Sequence, residues 1–418
     1  MESGREQLGT LRGMTRGVGP EVVSAASDND PTNVGTAAAV GAQTGYRLSW
    51  LALLVAPLLA VIMTIAAQVS AVARDDLQSL ALQRYGRAAS ASLLLSVVAV
   101  NLITIGADLQ AGAAGIGLLV GIDYRWLVAP LAAVLAGLLL AGKYGQVVAV
   151  LRYLLLGFVA FAAAAILAHP DWPDLLRASV VPSLTPRRGE VAAGLAILGT
   201  TLTSYVYVWE TIGRGVEEPR GRAAHGGLAP ARAGAVIGPV FTAVILWFML
   251  IAAAATLGRH RQPVASAQDA AQMLRPLAGP LAAELFAAGL VISALVALPV
   301  MIATTAHVVG AHFRWRRGLS QGIGQAPGFY AILVASVGLA LAVTLAGIPV
   351  IDMLVAASVI GGLGTPIGLV ILVRLARDPE VMGQRRISGR LAIAGWGVIV
   401  IVGGLGLLFV IGAMTGAF

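Results

Sequence analysis

Residues 17–45 read GVGPEVVSAASDNDPTNVGTAAAVGAQTG, and the fold follows from how this stretch is read. Both ends are as small and apolar as a membrane helix, yet the middle holds Asp28-Asn29-Asp30-Pro31-Thr32-Asn33. One ionised group at the centre of a membrane helix costs about 2.5–3.5 kcal/mol on insertion scales. Two aspartates this close must therefore face a cavity, a partner or an ion. Pro31 has no N–H and pushes Asp30 out of the helical region. The pattern predicts a helix interrupted in mid-membrane. Unwound backbone at that depth is tolerated only where it is buried in protein or lines a cavity, and transporters use such breaks as substrate sites. Freed carbonyls, a carboxylate and an amide oxygen suit a hard cation. The competing reading, a surface loop between two shorter helices, fits poorly with apolar flanks on both sides.

The rest of the chain agrees with a membrane setting. Of its 418 residues 58% are hydrophobic and only 11% charged, with a mean hydropathy of +0.86. Soluble domains carry about 25% charged residues. A bilayer crossing needs about 20 apolar residues. On that basis the chain should cross at 17–45, 47–72, 88–121, 125–142, 145–168, 190–214, 233–257, 278–312, 328–347, 350–376 and 391–416. This predicts an all-α integral membrane protein of about eleven spans. The 51 glycines suit close helix packing in lipid.

Charge orients the spans. With the N-terminus inside, the inner segments hold 20 of the 28 Lys and Arg, among them Arg74, Arg84, Arg87, Arg214, Arg314, Arg316 and Arg317. That bias predicts a cytoplasmic N-terminus, with residues 1–16 as a short tail, in a bacterial-type plasma membrane. Residues 1–17 lack the apolar centre of a signal peptide. Basic residues lying between apolar blocks set topology, so the net charge of +8 does not imply nucleic-acid binding. The chain has no cysteine, which removes disulfides and thiolate ligands. No HExxH, P-loop or Gly-x-Ser-x-Gly with a matching base is present. We therefore expect no enzyme, no cofactor and no obligate protein partner beyond the bilayer and the transported species.

A second break is expected if the chain repeats itself. Five spans on, residues 190–214 read EVAAGLAILGTTLTSYVYVWETIGR, with the polar patch Gly199-Thr200-Thr201-Leu202-Thr203-Ser204 in mid-span. Each hydroxyl alone is explained by bonding back to a helix carbonyl. The five-span offset gives the group a second meaning. Residues 17–168 and 190–376 would form two repeats of five spans, and 391–416 an appended helix, in one domain covering 17–418.

These residues resemble the Nramp family of divalent metal ion transporters, with features of its distant magnesium and manganese members. The family's first-helix motif Asp-Pro-Gly-Asn stands here as Asp30-Pro31-Thr32-Asn33. Gly199 to Tyr205 looks like its sixth helix, and Asp108 in GADLQAGAAG falls on an acidic position of its third. The resemblance implies a LeuT-type fold with a 5+5 inverted repeat. It also implies an ion held by Asp30, Asn33 and a carbonyl near Thr200. The fourth family ligand is a methionine thioether; here that position is Thr203. A thioether favours soft transition metals, so its loss points to a harder ion, Mn²⁺ or Mg²⁺, with Fe²⁺ as a further cargo. Two family positions linked to proton movement are Tyr205 and Ala111 here, in place of histidine and glutamate, which leaves symport and uncoupled transport both open.

Four further groups are candidates for accessory or coupling roles. Asp28 either supports the ligands and draws cations in, or caps the second half-helix. Asp108 either relays protons or pairs with Arg316 or Arg317. Tyr205 takes the family histidine's place. Glu210 either lines the path or pairs with Arg214, four residues on. His307 and His312 have no metal spacing. A same-fold transporter of an amino acid or other small organic substrate is the alternative function, against which Asp30 argues by repelling a substrate carboxylate.

Overall fold

A computed structural model describes residues 20–183, 188–217, 228–258, 271, 275, 279–348 and 350–415. The expected tail at 1–16 lies outside the described residues. Among those described, the secondary structure is helical throughout.

The first span is two pieces, α1 (Pro20–Ala26) and α2 (Pro31–Thr44), followed by a 3-10 turn at Gly45–Leu48. Then come α3 (Ser49–Ala73), α4 (Leu77–Val120), α5 (Tyr124–Ala141), α6 (Tyr144–Leu154), α7 (Val159–Leu167) and the short α8 (Trp172–Val180). The sixth span is again two pieces, α9 (Arg188–Thr201) and α10 (Ser204–Ile212). The chain continues with α11 (Leu228–Ala253), α12 (Pro280–His312), α13 (Pro327–Leu345), α14 (Val350–Arg377), α15 (Pro379–Met382) and α16 (Gly389–Thr415). Taking α1–α2, α6–α7 and α9–α10 as single units and leaving out the short α8 and α15, the described residues form eleven helical units, the number of spans expected. Nine stretches among the described residues are long and apolar enough to cross a membrane; one of them, Pro31–Ala73, holds α2 and α3 together.

The third span proper begins after Gly86, whose backbone (φ 82°, ψ −172°) is not helical, close to the expected residue 88. A short helix that the sequence reading did not expect precedes it from Leu77, capped by Asp76 accepting from Ser79 N. The segment 169–189, between the expected fifth and sixth spans, contains α8, which Asp171 caps ahead of Pro173.

The packing respects a five-span offset. Span 2 (α3) lies along span 7 (α11), and span 3 (α4) along span 8 (α12). Span 3 also packs on span 10 (α14), mirrored by span 8 on span 5 (α12 on α7). Span 1 on span 7 is mirrored by span 6 on span 2. This is the pattern of two five-helix repeats wrapped around each other. Small residues make the approach possible. A Cβ on Gly112 of α4 would sit 2.6 Å from Ala294 Cβ of α12. Both broken helices are thereby held in the middle of the bundle.

Candidate functional site

The first break runs from Ser27 to Asp30. Asp30 has extended backbone (φ −70°, ψ 164°), as the following proline demands, and its Oδ1 accepts from Asn33 N at 2.7 Å, capping α2. The side chains of Asp28, Asn29, Asp30 and Asn33 are all buried. The second break lies at Leu202–Thr203. Thr203 is extended (φ −77°, ψ 147°), and its hydroxyl does not cap α10. That hydroxyl crosses instead to the first break.

Four contacts join what the sequence placed apart. Thr203 Oγ1 donates to Asp28 Oδ1 at 2.9 Å. Tyr205 OH lies 2.7 Å from Ser27 O and 3.2 Å from Asp30 Oδ2. Asn33 Nδ2 donates to Asp28 O at 2.9 Å, fixing the carboxamide so that its Oδ1 faces Thr200 Oγ1 at 3.2 Å. The Thr200 hydroxyl has one proton, and Ala196 O at 2.9 Å is the nearer acceptor. Asn33 Oδ1 is thus only weakly engaged.

The expectation that Asp108 pairs with Arg316 or Arg317 is overturned. Its Oδ1 accepts from Thr32 N at 2.9 Å and Thr32 Oγ1 at 2.8 Å. Asp108 therefore grips the first turn of α2 from the third span. Arg317 binds Asp76 Oδ2 at 2.6 Å and Ser79 Oγ at 2.6 Å, tying the α3–α4 turn to the segment after α12. Asp28 does not cap α2; Asp30 does. Glu210 meets Arg214 at 3.8 Å, the i,i+4 pairing that is one of its two readings.

Sequence reading missed three participants. Asn29 O accepts from Ser293 Oγ of α12 at 2.5 Å, and Ala25 O from Thr242 Oγ1 of α11 at 2.6 Å. Each is a lone hydroxyl in an apolar span, a weak signal by itself. Glu217, just past the expected sixth span, is buried and meets His307 Nε2 at 3.0 Å. It also accepts from Leu319 N and Ser320 Oγ. Among the described residues no three His, Cys, Asp or Glu side chains group as a metal cluster. An ion at the breaks would be held by carboxylate, amide, hydroxyl and carbonyl oxygens together.

Comparison with known proteins agrees with this geometry. The family model for natural resistance-associated macrophage protein-like proteins, Nramp, matches residues 21–412. The divalent metal cation transporter MntH of Aeromonas hydrophila is 26% identical over 383 residues, covering 88% of this chain and 89% of its own. MntH of Deinococcus radiodurans is 28% identical over 419 residues, covering 94% and 91%. Among solved structures, the manganese transporter of Eremococcus coleocola superposes with a TM-score of 0.78 at 19% identity, covering 96% of this chain and 87% of that one. The fold is the LeuT type, with two five-helix repeats and an eleventh span, and the chain belongs to the Nramp family.

Proposed function

We propose that this chain is a secondary transporter of divalent metal cations, which bind between the two interrupted helices and cross by alternating access. One observation carries the reading: Asn33 Oδ1 on the first break faces Thr200 Oγ1 on the second at 3.2 Å, beside the Asp30 carboxylate. Ligand oxygens at about 2.1 Å from an octahedral ion are separated by about 3 Å. The 3.2 Å pair therefore spans one edge of such a shell. Residues from both breaks would meet on the ion, so a shift of one repeat against the other would expose it to one side and then the other. The names of the two curated relatives and of the structural neighbour point the same way.

The ligands are Asp30, Asn33 and Thr200, with the Thr203 hydroxyl alongside at the second break. All are oxygen donors, which favours Mn²⁺ or Mg²⁺ carried with some water, with Fe²⁺ as a further cargo. An amino-acid carboxylate would meet Asp28 and Asp30 at the break. Tyrosine stays neutral at physiological pH, where histidine titrates, so Tyr205 does not replace a histidine as a proton relay. Proton coupling would have to pass through Asp28, Asp108 or Glu210. We place the protein in a bacterial-type plasma membrane with its N-terminus in the cytoplasm, acting as a carrier and not an enzyme.

Uptake of Mn²⁺ and Mg²⁺ into proteoliposomes tests the assignment. Flux should be present in the wild type and absent in Asp30→Ala. Flux that survives Asp30→Ala would remove the break as the ion's site. Internal pH recorded during uptake decides coupling, with acidification in step with metal entry meaning symport.

A further inference from the structure

The two aspartates of the first break are not equivalent. Asp30 spends Oδ1 on capping α2, and its Oδ2 lies 3.2 Å from the Tyr205 hydroxyl, whose one proton has a nearer acceptor in Ser27 O at 2.7 Å. Asp28 spends only Oδ1, on Thr203. Its Oδ2 is buried without a hydrogen-bond partner, and so are both ends of the neighbouring Asn29 carboxamide. The Asp28 and Asn29 side chains are both 0% exposed. Among the described residues, no Lys, Arg or His forms an ion pair with Asp28 or Asp30.

A buried polar atom with no partner is rare in a native protein and calls for a bound water or ion, a strain or a function. An ionised carboxylate buried without a counter-charge is far more costly, so it either takes up a proton or binds a cation. The orphaned atoms lie in the one irregular stretch between α1 and α2, next to the ligands already named. Asp28 is also fixed from the opposite repeat through Thr203, so it moves with both breaks. Its position is held, and its second oxygen is left over.

We propose that Asp28 Oδ2 is a direct second carboxylate ligand of the transported ion, with Asn29 Oδ1 beside it and the Thr203 hydroxyl acting as a positioning group. This rests on the reading of the break as the cation site. It adds a physical basis for valence. Asp28 and Asp30 together supply two negative charges, which neutralise a divalent cation in a site out of water. A monovalent cation leaves one charge uncompensated, a neutral organic molecule two and a monoanion three. Thr203 thus contributes by holding a carboxylate, in place of donating a soft sulfur.

The variant to make is Asp28→Asn. Its carboxamide oxygen still accepts from Thr203, so the bridge between the breaks is kept while the charge and the Oδ2 ligand are lost. Purified protein free of metal should melt at or above the wild-type temperature, since an unpaired buried charge has been removed. Stabilisation by added MnCl₂ should shrink sharply, and the KM for Mn²⁺ in proteoliposomes should rise on the order of tenfold. Thr203→Val should raise KM by a smaller factor, because Asp28 is loosened but present. A wild-type KM and full Mn²⁺ stabilisation in Asp28→Asn, with uptake abolished in Asp30→Ala, would overturn the Asp28 assignment and leave the site itself standing. A lower melting temperature in metal-free Asp28→Asn would make Asp28 a structural residue and overturn the assignment too. Absence of Mn²⁺ and Mg²⁺ flux in the wild type would overturn both readings together.

Discussion

Asp108 offers a clean separation between holding a helix and moving a charge. It is fully buried, and one of its oxygens receives both the N–H and the hydroxyl of Thr32. Asp108→Ala leaves both donors unmet. A buried N–H without an acceptor costs about 1–3 kcal/mol, and the hydroxyl can turn to seek another partner. Asp108 Oδ2 has no hydrogen-bond partner, so removing the carboxylate gives part of this back. A net loss of about 2 kcal/mol is expected. With an unfolding entropy of about 2.1 cal/mol/K per residue, a chain of 418 residues should melt roughly 2 °C lower. Thr32 lies between the capping Asp30 and the proposed ligand Asn33, so the loss would fall on the proposed ion site. Were all of it felt in ion binding, apparent affinity would drop roughly 25-fold. Asp108→Asn keeps an oxygen for Thr32 and should retain both the melting temperature and the uptake. Thermal unfolding in detergent and Mn²⁺ uptake at graded concentrations measure the two effects. If Asp108→Asn melts with the wild type yet loses uptake as deeply as Asp108→Ala, the charge is what matters. Positioning would then be the wrong account, and a proton role the right one.

Two further outcomes can be checked independently. Thr203→Met places a thioether at the second break, and Cd²⁺ should then compete more strongly for Mn²⁺ uptake relative to Mg²⁺; unchanged competition would mean that position 203 does not reach the ion. At the turn before the third span, burial pushes the Asp76 carboxyl up, but the Arg317 guanidinium and the Ser79 donors outweigh it and hold it below its ordinary value of 3.8. A group depressed in the folded state adds stability above its unfolded pKa and loses it as pH falls through the folded one. Arg317→Ala should therefore destabilise by about 3 kcal/mol near neutral pH, as expected for breaking a buried pair. The gap in melting temperature from the wild type should narrow as the pH falls below 3.8; a gap of constant size from pH 7 to 3 would assign the loss to packing.

The two breaks were legible to different depths. At the first, two carboxylates and a proline in an apolar span contradict both lipid and helix, so only an interrupted helix satisfies the chemistry. At the second, nothing forbids a continuous helix. Thr200 and Thr201 do bond back to carbonyls of their own helix, at 2.9 Å to Ala196 O and 2.5 Å to Ile197 O, which is the bland reading of those hydroxyls. What breaks the helix is Thr203, whose hydroxyl leaves for Asp28 in the other repeat. A contact between residues 175 positions apart cannot be read from local pattern. It followed from the five-span offset, an argument about the whole chain.

The acids were legible only as a problem to be solved. Charge complementarity is what a sequence displays, so Asp108 was matched to Arg316 or Arg317. The structure matches it to a hydroxyl and a backbone N–H, which carry no charge and appear in every span. Arg317 meets Asp76 at a helix end, where charges are cheaper to keep than in mid-membrane. The same difference separates the aspartates of the first break. Asp30 and Asp28 are two residues apart and equally buried, and only the partners show that one is spent on the helix and the other is left with an oxygen to offer. A carboxylate in this bundle therefore takes its role from whether the backbone has already claimed it. By that criterion Asp108 and Asp30, which each accept from a backbone N–H of α2, serve the fold, and Asp28, held only by a side-chain hydroxyl, is the acid the backbone has left unclaimed.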